Sequence, residues 1–131
     1  MRFVAGSLLL ILFAVLTPNA QEPTQDFNTA RGFYDKCDVV DKNGSKLNAN
    51  ESFRNGFCLG FAVGFTRGFS SGEMYHSVKM SDRLYCIPEG VNNQQVLRVI
   101  RKWIADHPES THNAPETEAA AALHNAFPCA K

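Results

Sequence analysis

Apolar residues recur along this chain with a changing period, and each change marks an element. From Thr24, the residues Phe27, Ala30, Tyr34, Cys37 and Val40 fall three or four positions apart. That is the spacing of one face of an amphipathic helix. Asp41-Lys42-Asn43-Gly44-Ser45 then interrupts it with turn residues. In the next segment Gly56, Gly60, Gly64, Gly68 and Gly72 recur every fourth residue, and Phe57, Phe61, Phe65 and Phe69 follow four of them. On a helix this step keeps the glycines on one slowly drifting stripe, with a phenylalanine ridge beside it. Each interior glycine costs about 1 kcal/mol relative to alanine, so close approach of a neighbouring helix is expected to offset the loss. Faces of small residues are best known from membranes, but Arg54, Asn55 and Arg67 argue against insertion. The segment reads as a buried helix from near Ser52 to Ser71, with Gly72 as its C-terminal cap. A glycine-rich irregular stretch, or strands, is the competing assignment.

Residues Glu73 to Tyr85 show no period and predict a long loop, or a loop carrying one short helix; loops of this length in small domains tend to be functional or disordered. Asn92 with Gln95 then forms a capping-box pattern. Val96, Ile100, Trp103 and Ile104 make the buried face of the helix it opens, with Leu97 and Val99 flanking. Arg98, Arg101 and Lys102 point outward, where cations suit the later turns. Pro108 ends that helix. Asn113 with Glu116 repeats the capping pattern, Pro115 is tolerated in a first turn, and Ala119 to Leu123 have high helix propensity. Phe127-Pro128 closes the last helix. The whole predicts an all-α, compact four-helix domain.

The two ends refine this picture. Arg2, the apolar run from Leu8 to Leu16, and Ala20 before Gln21 have the anatomy of a cleaved secretory signal over residues 1–20. The run is too short to span a bilayer, which takes roughly 20 residues, and no cysteine follows it closely, so no stable membrane anchor is expected. Residues 21–131 then form one exported domain. Without Arg2, twelve basic residues face thirteen acidic ones, a formal charge of −1. That balance offers nothing to draw nucleic acid or anionic lipid. Cys37, Cys58, Cys86 and Cys129 are an even set in an exported chain and read as two disulfides. Of the three connectivities, Cys37–Cys58 with Cys86–Cys129 is preferred, because each bond ties sequence-adjacent helices. Peptide mapping would decide. A domain this small gains from such staples.

Chemistry-bearing motifs are absent. There is no nucleophile elbow, P-loop, dinucleotide fingerprint, H-E-x-x-H or C-x-x-C. His76, His107, His112 and His124 are scattered. Trp103 reads as a core anchor, and Glu116 and Glu118 suit a helix start. Asn43-Gly44-Ser45 and Asn50-Glu51-Ser52 match a glycosylation pattern only as chance turn composition. The residues therefore nominate no enzyme, no cofactor and no metal.

One set of motifs carries a family resemblance. Cys58-Leu59-Gly60-Phe61-Ala62-Val63-Gly64, then Tyr85-Cys86-Ile87-Pro88-Glu89-Gly90-Val91, then Gln94-Gln95 ahead of Val96 and Ile100, follow in order. His107-Pro108, Ala122-Leu123 and Phe127-Pro128-Cys129 complete the series. Together these resemble the type VI secretion amidase immunity proteins, the Rap/Tai family, over roughly Cys37 to Cys129. The resemblance implies a small periplasmic helical protein, often a homodimer, that plugs the cleft of a cell-wall amidase effector. Here the glycine-phenylalanine repeat runs on to Phe69, longer than the family's usual core, and Thr66-Arg67 stand where small or acidic residues are usual. Within this reading the segment Gly72 to Arg83 is the expected projecting element, with Met74, Tyr75, His76 and Lys79 as partner-binding residues. The competing readings are a periplasmic stress or chaperone-like protein and a carrier of a small apolar ligand.

Overall fold

A computed structural model describes residues 27–42 and 46–130, and all regular structure among them is helical. Helix α1 spans Ala30–Lys36, opened by Thr29, whose hydroxyl accepts from the Gly32 amide at 3.1 Å. It is shorter than the periodicity predicts. The chain tightens into a 3₁₀ turn, Cys37–Asp41, which turns Cys37, Val39 and Val40 inward together.

Helix α2 spans Ala49–Tyr75, 27 residues, or roughly 40 Å at 1.5 Å per residue. A full capping box opens it. The Asn48 side chain accepts from Glu51 N–H at 2.9 Å, and the Glu51 carboxylate accepts from Asn48 N–H at 3.0 Å. The expected start near Ser52 is therefore three residues late. The expected stop at Gly72 is also corrected, since Gly72 lies inside the helix and accepts from His76 N–H at 3.0 Å. A capping glycine works by taking a left-handed conformation. Here that conformation falls instead on Ser77, at φ 54°. The rest of the expected loop carries one short 3₁₀ turn, Met80–Asp82.

Helix α3 spans Asn93–Asp106, capped by Asn92, whose side chain accepts from Gln95 N–H at 2.9 Å. Its buried residues are Val96, Leu97, Ile100 and Ile104, while Trp103 is half-buried. Helix α4 spans Pro115–Ala126. Asn113 does not cap it: Ala114 holds the cap position, and the Asn113 amide donates to Glu118 at 2.8 Å.

Helix α3 is the hub. It packs against α4 most extensively, and also against α2, α1 and the Cys37–Asp41 turn. Phe33, Leu97, Ile100 and Leu123 are fully buried at the centre, each worth roughly 1.5–3 kcal/mol of apolar transfer. Cys37–Cys58 and Cys86–Cys129 are paired, with Cα–Cα distances of 5.8 and 4.9 Å. The first ties the α1 turn to α2. The second ties the segment before α3 to the chain end after α4. Two backbone bonds add further ties, each at 2.8 Å: Ala30 N–H donates to Asn113 C=O, joining α1 to the segment before α4, and Cys86 N–H donates to Phe127 C=O beside the second disulfide. The signal-peptide reading, residues 1–20, lies outside the described residues.

Candidate functional site

The feature that stands out is what α2 leaves uncovered. Its core side is narrow: Cys58 and Ala62 are buried, with Phe61, Phe65 and Phe69 half-buried against the core. A four-residue step advances a helix by about 40° beyond a full turn, so the phenylalanine ridge rotates as it runs. Phe57 remains exposed at one end, partly covered by Phe27 at 3.9 Å between ring centroids. Phe69 at the other end lies 5.3 Å from the ring of the buried Tyr85.

The glycines lie on the outward side. Gly56, Gly60, Gly64, Gly68 and Gly72 are all exposed, and a Cβ on any of them would meet no other atom within 4 Å. Among the described residues no neighbouring helix lies there, and the expectation of a buried helix is corrected to one that they cover on a single side. The reason lies in residue chemistry. Glycine contributes neither apolar area nor polarity, so the contrast that fixes a helix's orientation is weak along this segment. The same side carries Phe53 (63% exposed), Met74 (68%) and Tyr75 (86%), and Arg67 is its only charge among the described residues. Arg54, at its margin, is half-buried and donates to Asp38 at 3.0 Å. Although α2 is long, no helix among the described residues is long and apolar enough to cross a membrane.

The sequence-nominated partner residues gather at the C-terminal end of this face. Met74 and Tyr75 form the last turn of α2, and His76 caps it, its ring edge-on to Tyr75. Lys79 precedes the Met80–Asp82 turn, and all four are exposed. The expected projecting loop is therefore one-third helix: Gly72 to Tyr75 extend α2, and the remainder is irregular apart from the Met80–Asp82 turn. The sequence reading assigned the glycines to a buried helix contact and did not single out Phe53.

Elsewhere, two carboxylates are matched within the fold. Asp41 accepts from Arg98 at 3.0 Å and from Arg101, whose guanidinium lies 4.9 Å from the centre of the Tyr34 ring. Partial burial raises the Asp41 carboxyl, but these hydrogen bonds outweigh it and hold its pKa below the usual value. Glu118, only 4% exposed, accepts from Trp103 Nε1 and Asn113 Nδ2, both at 2.8 Å. Burial raises its pKa too, and the bonds from Asn113, Trp103 and Ser110 bring it below normal. Trp103 stacks on His107 at 3.8 Å between centroids. Trp103 thus serves as a tether between α3 and the start of α4. Among the described residues, no group of three or more His, Cys, Asp or Glu is placed to hold a metal.

The arrangement suits recognition: a rigid, doubly stapled scaffold displaying a bare helix face with exposed aromatic and methionine side chains at its ends. Among known protein families, the one described as Rap1a immunity proteins matches residues 29–129. No curated protein and no solved structure matches.

Proposed function

The chain belongs to the Rap1a immunity protein family, and from that premise we propose that it binds a cognate type VI effector and holds it inactive. The effector is a peptidoglycan amidase, the encounter takes place in the periplasm after removal of residues 1–20, and the protein inhibits by occlusion without catalysing a reaction. The outward face of α2 and its Met74–Lys79 end form the binding surface.

One observation supports this reading above others. Five interior glycines sit on an exposed helix face with none of the described residues packed against them. Each costs about 1 kcal/mol relative to alanine, against a total stability of about 5–15 kcal/mol for an ordinary domain. Among the described residues nothing offsets that cost. A partner backbone approaching the bare stripe would, as small-residue faces permit in other helix pairs. Preorganisation by two disulfides limits the entropy lost on docking.

A second copy of the chain is a further occupant of the same face. Phe53 and Phe57 are bulky at its start, and Gly68, Ser70, Ser71 and Gly72 are small at its end. An antiparallel two-fold pairing sets each bulky half against a bare one, as an isologous interface requires.

The test is capture from native periplasmic extract with the oxidised mature protein as bait. A single stoichiometric partner whose cell-wall amidase activity disappears in the complex supports the reading. Recovery of many unfolded clients, or of no protein, would sink it.

A further inference from the structure

Beside the exposed end of α2 lies a cleft of about 220 Å³, lined by Ser70, Glu73, Met80, Arg83, Tyr85 and Ile87, with Cys86. Two of its polar groups lack partners. The Tyr85 hydroxyl and Arg83 Nε are both out of contact with solvent, and neither makes a hydrogen bond among the described residues. Tyr85 as a whole is 5% exposed, its ring held against Phe69 and Phe65. A buried donor left without an acceptor costs about 1–3 kcal/mol. Two in one small cleft are a concentrated loss, and such groups call for a missing partner.

The third polar group in the cleft is Glu73. Its Oε1 accepts from Leu84 N–H at 2.9 Å. Its Oε2 lies 3.9 Å from Arg83 Nε, an ion pair too long to be a hydrogen bond. The cleft residues therefore carry two donors without a hydrogen bond and one carboxylate oxygen engaged only in that long ion pair, between apolar walls from Met80 and Ile87. An anionic guest would meet the Glu73 carboxylate. A purely apolar guest would leave both donors bare. A carboxamide matches all three groups, its oxygen accepting from Tyr85 and Arg83 and its NH₂ donating to Glu73 Oε2. The Tyr85 hydroxyl stays a donor at every physiological pH, since burial and then the Glu73 charge push its pKa up to about 12.

We propose that this cleft is a carboxamide-binding pocket that receives an asparagine or glutamine side chain of the protein partner. The partner as source rests on the effector-binding reading above. Its position supports that source: Met80 lines the cleft, is 59% exposed, and shares the Met74–Lys79 end of the docking face. Methionine is unbranched and adaptable, so the Met80 side chain is the wall that moves to admit the guest.

Two arms test this with the oxidised, full mature chain. In the first, propionamide and propionate are titrated separately while NMR follows the Arg83 Nε–H, the Leu84 amide and the Met80 methyl. Propionamide is expected to saturate with shifts confined to these groups, and propionate to bind at least about 5-fold more weakly. Tyr85→Phe removes one hydrogen bond, about 1 kcal/mol, and is expected to weaken propionamide by about 5-fold. Its unfolding midpoint should not fall, because the hydroxyl it loses is unpaired. No saturable shift with propionamide, equal binding of propionate, or unchanged affinity in Tyr85→Phe would overturn the pocket. In the second arm, wild type and Tyr85→Phe are compared as bait in native periplasmic extract. Reduced capture by the variant supports a partner amide, and equal capture overturns that assignment. Failure of wild type to capture any partner counts against the effector reading alone, since the propionamide titration still decides the pocket.

Discussion

Alanine at Gly60 and Gly64 separates the two roles of α2. Both positions lie near the middle of a 27-residue helix, and a Cβ at either meets nothing within 4 Å. With no steric penalty, only helix propensity changes, and each Gly→Ala step gains about 0.8–1 kcal/mol. The double variant is therefore expected to be about 2 kcal/mol more stable than wild type. For a domain of about 100 residues, 1 kcal/mol moves Tm by roughly 4–8 °C, so Tm should rise by roughly 10 °C. Urea unfolding followed by circular dichroism gives the free energy directly, at dilutions where light scattering reports a monomer. The slope with denaturant should stay constant, because the area exposed on unfolding barely changes. The same variant should capture less partner from extract, since two methyl groups now hold the partner backbone off the stripe. Loss of stability in the dilute monomer would refute the reasoning, because it requires a neighbouring atom within reach of those methyls. Gain of stability with undiminished capture would leave the fold standing and remove the stripe from the binding surface.

Three further outcomes follow from the same geometry. Replacing Met74 and Tyr75 together by serine should weaken partner capture by at least about 10-fold at an unchanged unfolding midpoint, since exposed aromatic anchors act at interfaces rather than in the core; unchanged capture would exclude that end of α2. Removing Cys86–Cys129, a 43-residue separation, should cost about 4 kcal/mol, and Cys37–Cys58, a separation of 21, about 3 kcal/mol. Urea midpoints of paired Cys→Ser variants check both values, and a larger loss for the shorter loop would contradict the chain-entropy account. Acid should destabilise the fold through Glu118 and Asp41, whose folded pKa values lie below their ordinary 4.5 and 3.8. Their contribution is complete above those unfolded values and disappears as pH falls through the lower folded ones. Urea midpoints between pH 6 and 3 should therefore drop, less steeply in Glu118→Gln, and identical acid limbs in both proteins would contradict it.

Much of the architecture was legible locally. Asn92 with Gln95, Pro108, Pro115 and Phe127-Pro128 bound α3 and α4 because caps and breakers act within a turn of where they stand. The Asn48–Glu51 capping box was equally legible, three residues apart just ahead of the phenylalanine run, and passing over it displaced the start of α2. The disulfide pairs followed from the adjacency of the elements they join. Misreading Gly72 as a stop had a different cause: a glycine ends a helix only where the chain turns left-handed, and distant contacts set that place. Glu73 stays helical with its carboxylate on the Leu84 amide, and the chain turns at Ser77 instead.

The candidate site divides the same way. Periodicity alone determined that residues 56–72 carry a glycine stripe beside a phenylalanine ridge, and family motifs determined the kind of partner to expect. Which side of α2 faces the core was decided only by tertiary structure. A helix of glycine and phenylalanine has little contrast between its faces, so no local rule orients it. The Cys37–Cys58 bond and the burial of Ala62 turn one side inward, and the glycines are left outside. The unpaired Tyr85 hydroxyl and Arg83 Nε belong to the tertiary structure for the same reason. Whether a polar group finds a hydrogen-bond partner depends on the groups that segments far apart in sequence bring to it, and among the described residues they bring none to Tyr85 and only the Glu73 carboxylate, beyond hydrogen-bond reach, to Arg83 Nε.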